Sequence, residues 1–293
     1  MTDPVPPPVV VMLARRVETV PETGALPGGC AYEPKFDGHR MVVLTGPVRL
    51  QTRSGRIVTD TFPELAEAAR ALPPGTVVDG EVVIWRDGRI DFGALQRRAL
   101  GGTRRRPPGP PGPPANYAAF DLLAAGGTDL RARPYDERRA ALTALLAPLG
   151  PPLQPVPMTT DRDEALNWYA SLAATGIEGL VVKGRAQRYR PGRRDWLKLR
   201  HSVPQDAVAI GFTGTPRAPR ALVLDLGDGP LSSAPLDAPL RAELAALLTP
   251  VPLATAALDD GTPYRPLPGP LPVEILQGVG RHALTTVLRL RPP

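Results

Sequence analysis

Glu33-Pro34-Lys35-Phe36-Asp37-Gly38-His39-Arg40 is the stretch around which the rest of the chain is organised. Its lysine stands against the composition. Lysine occurs only at positions 35, 183 and 198, and every other residue among the 35 Lys plus Arg is arginine. A guanidinium stays protonated at any accessible pH, whereas an ε-amine can lose its proton when burial or neighbouring cations lower its pKa, and can then attack an electrophile. Lys35 is therefore the candidate nucleophile. Asp37-Gly38 is also a strong turn dipeptide ahead of Met41-Val42-Val43-Leu44, which predicts a β-hairpin with Lys35 at a strand end and Arg40 returning beside it.

Working outward, three stretches share an arrangement in which charge enters an apolar strand. Thr76 to Trp85 is β-rich but interrupted by Asp79-Gly80-Glu81. Two carboxylates there are costly to bury unless they face a cation, a metal or a ribose hydroxyl, the alternative being a bulge with Glu81 in solvent. Glu178-Gly179-Leu180-Val181-Val182-Lys183 repeats the theme and ends in the second lysine. In Trp196-Leu197-Lys198-Leu199-Arg200 the strand period puts Lys198 and Arg200 on one face, a cationic pair suited either to phosphates or simply to solvent. The basic turn Thr52-Arg53-Ser54-Gly55-Arg56 admits the same two readings.

Between these stretches, residues 1–30 read as an extended arm with one apolar run, Val9 to Leu13. Thr61 and Glu64 have capping-box spacing and predict a helix over 62–71. Further helices are expected over 92–100, 134–146 and 162–174, and strands over 48–52 and 115–123. Arg104, Arg105 and Arg106 precede Pro-Gly repeats, in a loop that cannot pack a core and whose arginines offer a secondary phosphate contact. After Gln205 the pattern changes to short strands (208–212, 221–226 and two within 273–290) with one helix (240–248), which fits a small Greek-key barrel of the oligonucleotide-binding type.

At 293 residues and 42% hydrophobic, the chain has room for two domains. Neither a signal pattern in Met1 to Pro8 nor an apolar run of membrane-spanning length is present, so a soluble, cytoplasmic protein without membrane association is expected. The single cysteine, Cys30, cannot form an internal disulfide or a multi-thiolate zinc site. A net charge of +6 is compatible with a polyanionic partner. Most of the 39 prolines and 29 glycines are expected in connecting loops.

Taken in order, Lys35-x-Asp37-Gly38-x-Arg40, Arg53-Ser54-Gly55, Asp79-Gly80-Glu81, Phe120-Asp121-Leu122, the Glu178 to Lys183 run and the Trp196 to Arg200 run resemble ATP-dependent DNA ligases of the covalent nucleotidyltransferase superfamily, above all the compact bacterial type. The resemblance implies an α+β architecture: an ATP-grasp-like, antiparallel-sheet nucleotidyltransferase domain over residues 1–203, followed by an OB-fold β-barrel over 204–293 that would close over the site. It implies that Lys35 attacks the α-phosphate of ATP, with Lys183 and Lys198 on that phosphate. Glu178 would hold Mg2+ or Mn2+, Glu81 and Arg40 the ribose, and Phe120 would stack on adenine while Glu33 reads its amino group. Arg53 would contact the phosphate at the nick, and Arg200 supplies the last phosphate contact.

The implied partners are nicked or broken duplex DNA and proteins of end joining or repair, with the chain a monomer. Two departures from the family pattern stand out. Arg200 occupies a position where lysine is common, and the C-terminal motif is reduced to Arg289 and Arg291, without its acidic and lysine members. An RNA ligase or capping-type enzyme, and a catalytically silent nucleic-acid-binding module, are the competing readings.

Overall fold

The computed structural model describes residues 4–101, 113–227, 229–248, 255–278 and 285–291. The expected arginine loop at 104–106 lies outside them. The chain divides into two compact units, Met1–Arg200 and His201–Pro293. Among the described residues no helix is long and apolar enough to cross a membrane.

In the first unit the elements run β1 (Ala14–Arg16), β2 (Cys30–Lys35), β3 (His39–Leu44), β4 (Arg49–Thr52), α1 (Pro63–Ala69), β5 (Val77–Arg86), β6 (Arg89–Ile90) and α2 (Phe92–Gly101). They continue with β7 (Ala115–Ala125), β8 (Thr128–Asp129), α3 (Tyr135–Leu146), β9 (Leu153–Pro155), α4 (Arg162–Ser171), β10 (Gly179–Gly184) and β11 (Trp196–Arg200). These strands make two sheets. One has the order β1-β11-β10-β2; the other has the order β4-β3-β5-β7-β8, with β6 on β5 and β9 on β7.

Alternation along each strand sorts residues between layers. In β3, Met41 and Val43 join the core beneath the helices, with Phe62, Leu65, Leu95 and Leu142, whereas Val42 and Leu44 face the other way, toward Trp196. In the smaller sheet Tyr32, Leu180, Val182, Leu197 and Leu199 pack with Ala165 of α4. Glu33, Lys35, Val181, Lys198 and Arg200 are therefore left on the opposite face. The layers run from helices to large sheet to small sheet to α4, and the charged strand residues lie between the two sheets.

The expected hairpin is not formed. β2 pairs with β10 in one sheet, while β3 pairs with β4 and β5 in the other, so Asp37-Gly38 carries the chain from sheet to sheet. Gly38 is required there by crowding, because a Cβ would stand 2.2 Å from the Val82 carbonyl oxygen. The capping box also fails. Thr61 ends a short 3-10 turn, and α1 starts at Pro63 without a side-chain cap. Glu64 instead accepts from Arg98 Nη2 at 2.6 Å and from the Ala115 amide at 2.8 Å, tying α1 to α2 and β7. The arm is built into the core through Val5, Val9, Val11 and Met12. Gln51 clasps it like a strand neighbour, accepting from Val9 N at 2.8 Å and donating to Val9 O at 2.9 Å.

The second unit contains β12 (Ser202–Thr215), β13 (Ala218–Asp225), β14 (Pro230–Ser232), α5 (Ala238–Leu247), β15 (Ala256–Ala257), β16 (Pro263–Gly278) and β17 (Thr285–Leu290). They form an antiparallel sheet of order β14-β13-β12-β16-β15 with β17 on β16. Asp237 caps α5 by accepting from Leu240 N, and Leu240 and Leu244 enter a core with Phe212, Leu224, Val273 and Ile275. Prolines 263 to 272 suggest a connection in sequence, yet they lie within β16. The register accounts for two of them: Ala209 faces Leu271 and Gly211 faces Pro266, so residues 267–270, with Pro268 and Pro270, bulge without partners on β12, where a missing N–H costs nothing, while Pro266 and Pro272 stay in register with Gly211 and Val208 and Pro263 with Ala257.

Candidate active site

The nucleophile end of the site is set by the meeting of β2, β10 and β11. Lys35 is the last residue of β2, opposite Gly179, and its carbonyl accepts from Glu178 N at 2.8 Å. Glu178 is thereby held at the mouth of β10 with only 1% of its surface exposed, paired with the Lys35 ammonium and with Arg200 Nε at 3.3 Å. Gly179 makes this corner possible. Its φ is +143°, and a Cβ would lie 2.0 Å from the Leu199 carbonyl oxygen. The register Gly179↔Arg200 and Val181↔Lys198 places both cations of β11 on the face that carries Lys35.

Lys35 keeps 19% of its side chain exposed, so it is reachable. Burial pushes the Lys198 ammonium below the usual lysine range, and the charges of Arg200, Lys35 and Arg194 push it further, against Glu178. Three cations thus surround one buried carboxylate. Such a site has positive charge to spare and suits an incoming polyphosphate.

A second cluster lies along the same face. Phe120 is the extra residue of a β-bulge: Gly80 faces Ala119 and Asp79 faces Asp121, leaving Phe120 unpaired and re-aimed between the sheets. Its ring meets Trp196 edge-on at 5.9 Å, and the Arg40 guanidinium lies 5.3 Å from both ring centres. Asp79 holds Arg40 in a fork, from Nε at 3.0 Å and from Nη2 at 2.6 Å. Beneath them Lys183, 0% exposed, pairs with Glu33 at 2.8 Å and donates to the Phe120 carbonyl at 2.6 Å. Tyr135 donates to the other oxygen of Glu33. Glu81, opposite Arg40 in register, has its carboxyl pushed up to about 7 by burial; Lys35 and Arg40 oppose the shift, while Asp79 and Glu178 add to it.

Lys35, Glu178, Lys198 and Arg200 form one group, with Glu81 within its electrostatic reach. Glu33, Arg40, Phe120 and Lys183 form the second. Lys183 lies on the same face of β10, two residues along from Val181, the partner of Lys198. It is opposite Ala31, four residues along β10 from the partner of Lys35, which is about 13 Å at strand rise. Arg53 stands apart on the exposed turn closed by Gly55 N to Thr52 O at 2.9 Å. Arg289 and Arg291 are engaged within their own unit, both by Glu274, with Arg291 also 2.9 Å from Asp206. Sequence reasoning passed over Tyr135 and Tyr189, whose hydroxyls serve Glu33 and Asp79, because isolated tyrosines between arginines and acids carry no spacing signal.

Among the described residues no group of three or more His, Cys, Asp or Glu is placed to hold a metal ion. Magnesium needs no such cage, since it keeps waters and takes one or two carboxylates plus substrate phosphates. Glu178, with Glu81 close enough to feel its charge, fits that donor set.

Residues 11–200 match the family model described as the ATP dependent DNA ligase domain. The chain is 39% identical over 212 residues to DNA ligase C2 of Mycolicibacterium smegmatis, covering 71% of this chain and 58% of that protein. It is 35% identical over 232 residues to the multifunctional non-homologous end joining protein LigD of Pseudomonas aeruginosa, covering 76% of this chain and 26% of that one. Among solved structures, the ligase domain of M. tuberculosis LigD matches with a TM-score of 0.56 at 27% identity, covering 97% of this chain and 95% of that chain. The chain spans about three fifths of the length of the first curated relatives it matches.

Proposed function

The chain belongs to the family of ATP-dependent DNA ligases, and from that premise we propose that it joins a 5′-phosphate to a 3′-hydroxyl in duplex DNA through a covalent lysyl-AMP. The observation that carries the reading is Lys35 at the open end of β2, ringed by Glu178, Lys198 and Arg200. Lys35 Nζ, once deprotonated, forms a P–N bond to the α-phosphorus of ATP while the bond to the β-phosphate oxygen breaks and pyrophosphate leaves. Lys198 and Arg200 neutralise the charge that gathers on the phosphate oxygens, which is the main demand of phosphoryl transfer. The AMP then passes to the DNA 5′-phosphate, and attack by the neighbouring 3′-hydroxyl seals the strand and releases AMP.

Arg40 and Glu81 flank the ribose position and Phe120 walls the base. Glu33 reads the adenine amino group, with Lys183 and Tyr135 fixing it. We assign Lys183 to this base-reading cluster because its ammonium is enclosed by Glu33 and the Phe120 carbonyl. Glu178, with Glu81, would hold Mg2+ or Mn2+, which when bound supplies further neutralisation of the phosphates. Arg53, exposed on its turn, would contact the DNA phosphate at the nick.

The domain division proposed from the sequence is 1–203 and 204–293, with the second domain an OB-fold barrel; the bends of β12 and β16 at their register shifts support a curled sheet. The name of the Pseudomonas relative motivates a role in end joining, with end-joining proteins as partners; a cytoplasmic location is part of the proposal. The test is incubation with α-labelled ATP and magnesium, beside Lys35→Ala. Acid-labile label on the wild-type chain alone supports the reading, and nicked DNA compared with nicked RNA identifies the acceptor. No label, with pre-adenylylated nicked DNA left unsealed, overturns it.

A further inference from the structure

Arg40 has two faces of constraint and one free edge. Its Nε and Nη2 are taken by Asp79, and its plane lies against Phe120 and Trp196, while Nη1 has no protein partner among the described residues. The aim of that free edge depends on what holds Asp79, which is fully buried. The hydroxyl of Tyr189 donates to Asp79 Oδ2 at 2.7 Å and itself accepts from the Met12 amide at 2.8 Å. Arg40 Nη2 is 3.5 Å from the same hydroxyl. The Tyr189 ring is also locked, edge-on against Trp196 at 5.7 Å.

We infer that Tyr189 is a positioning residue for nucleotide binding: it orients Asp79, and through Asp79 the free Nη1 edge of Arg40, using the main chain of the N-terminal arm as its own support. The inference rests on the ATP-dependent reading given above and adds to it a residue outside the recognised motifs. The chemistry is that of a two-step relay. A carboxylate oxygen that accepts only from a mobile guanidinium can swing with it, whereas one also bound by a phenol anchored to backbone cannot. Burial, and after it the Asp79 charge, keeps the Tyr189 hydroxyl protonated well above the usual tyrosine range, so it remains a donor throughout the working pH range.

The test is Tyr189→Phe, which keeps the ring against Trp196 and removes only the hydroxyl. In self-adenylylation the KM for ATP is expected to rise about tenfold, as for loss of one hydrogen bond to a charged group, with the maximal rate changed less than about twofold. In an Asp79→Asn background the same substitution is expected to add little, because both act through one relay. An unchanged KM overturns the inference, as do effects that multiply independently in the double variant. A lowered melting temperature with unchanged KM, measured below the melt, assigns the hydroxyl to stability alone and also overturns it. Failure of the wild-type chain to take label from ATP defeats the functional reading itself, and is distinguished because it does not depend on residue 189.

Discussion

Two buried ion pairs in the first unit look alike on paper and are built for different ends. Under α3, Arg138 meets Asp121 through Nε at 2.7 Å and Nη2 at 2.9 Å, while Nη1 donates to the carbonyls of Arg133 at 2.6 Å and Gln187 at 2.9 Å. Asp121 also accepts from the Leu122 amide. At the end of β2, Lys35 meets Glu178 with Arg200 and Lys198 close by, and the lysine stays reachable from solvent. The first pair commits four of the five guanidinium N–H donors and both carboxylate oxygens to protein partners. The second leaves cations in excess and an amine at the surface. Saturation marks a pair that holds the fold, and unsaturated charge marks one that waits for a ligand.

The largest expected effect breaks the second pair chemically while keeping its charge. Lys35→Arg retains a cation beside Glu178 yet removes the solvent-reachable amine at the end of β2, so labelling by ATP is expected to disappear while the thermal melt is preserved; residual covalent label would erase the difference between the two pairs. Next comes the saturated pair. Arg138→Met leaves Asp121 buried and unpaired and is expected to cost about 3–5 kcal/mol in a urea melt, whereas a cost near zero would mean the pair is not structural. Gly179→Ala probes the corner that joins Glu178 to its neighbours. Its Cβ meets the Leu199 carbonyl oxygen at 2.0 Å, so a loss of ~3 kcal/mol from crowding and backbone strain is expected, with labelling impaired because Glu178 moves.

The smallest effect is a pH dependence. The Glu81 carboxyl sits at about 7 in the folded chain against an ordinary 4.5. The native state therefore holds a proton that the unfolded chain has released between those values, and this group's contribution to stability falls as pH rises from 4.5 to 7. In the proposed ribose role the ionised Glu81 is the stronger acceptor, so the KM for ATP is expected to rise as pH drops below about 7. Glu81→Gln should flatten both profiles. Retention of either slope in that variant would place the titration on another group.

Much of this was legible in the residues. The strand period in Trp196 to Arg200 put Lys198 and Arg200 on one face, and β11 carries them there beside Lys35. The rarity of lysine singled out the residue at the open end of β2. Other features were not legible, because they depend on partners distant in sequence. Asp37-Gly38 has hairpin chemistry, but the strand it leaves is claimed by β10, about 145 residues on, so the turn joins two sheets instead. Glu64 has capping-box spacing, but Arg98 and the Ala115 amide compete for it with shorter and charged contacts.

What the sequence by itself determined is the set of candidates: a lysine kept against the composition, acids entering apolar strands and cations at strand spacing are properties of residue type and local period, and both act within a few residues. The grouping of those residues was decided only by the tertiary structure. Lys183 and Lys198 are equal candidates for a phosphate when read along the chain, but four residues of strand rise separate Lys183 from the partner of Lys35, and its ammonium is enclosed by Glu33 and the Phe120 carbonyl, which supports the proposed place of Lys183 with Glu33. The bulge that aims Phe120, and the tyrosine that braces Asp79, arise from register and packing between elements, where long-range contacts rather than local preference set the geometry.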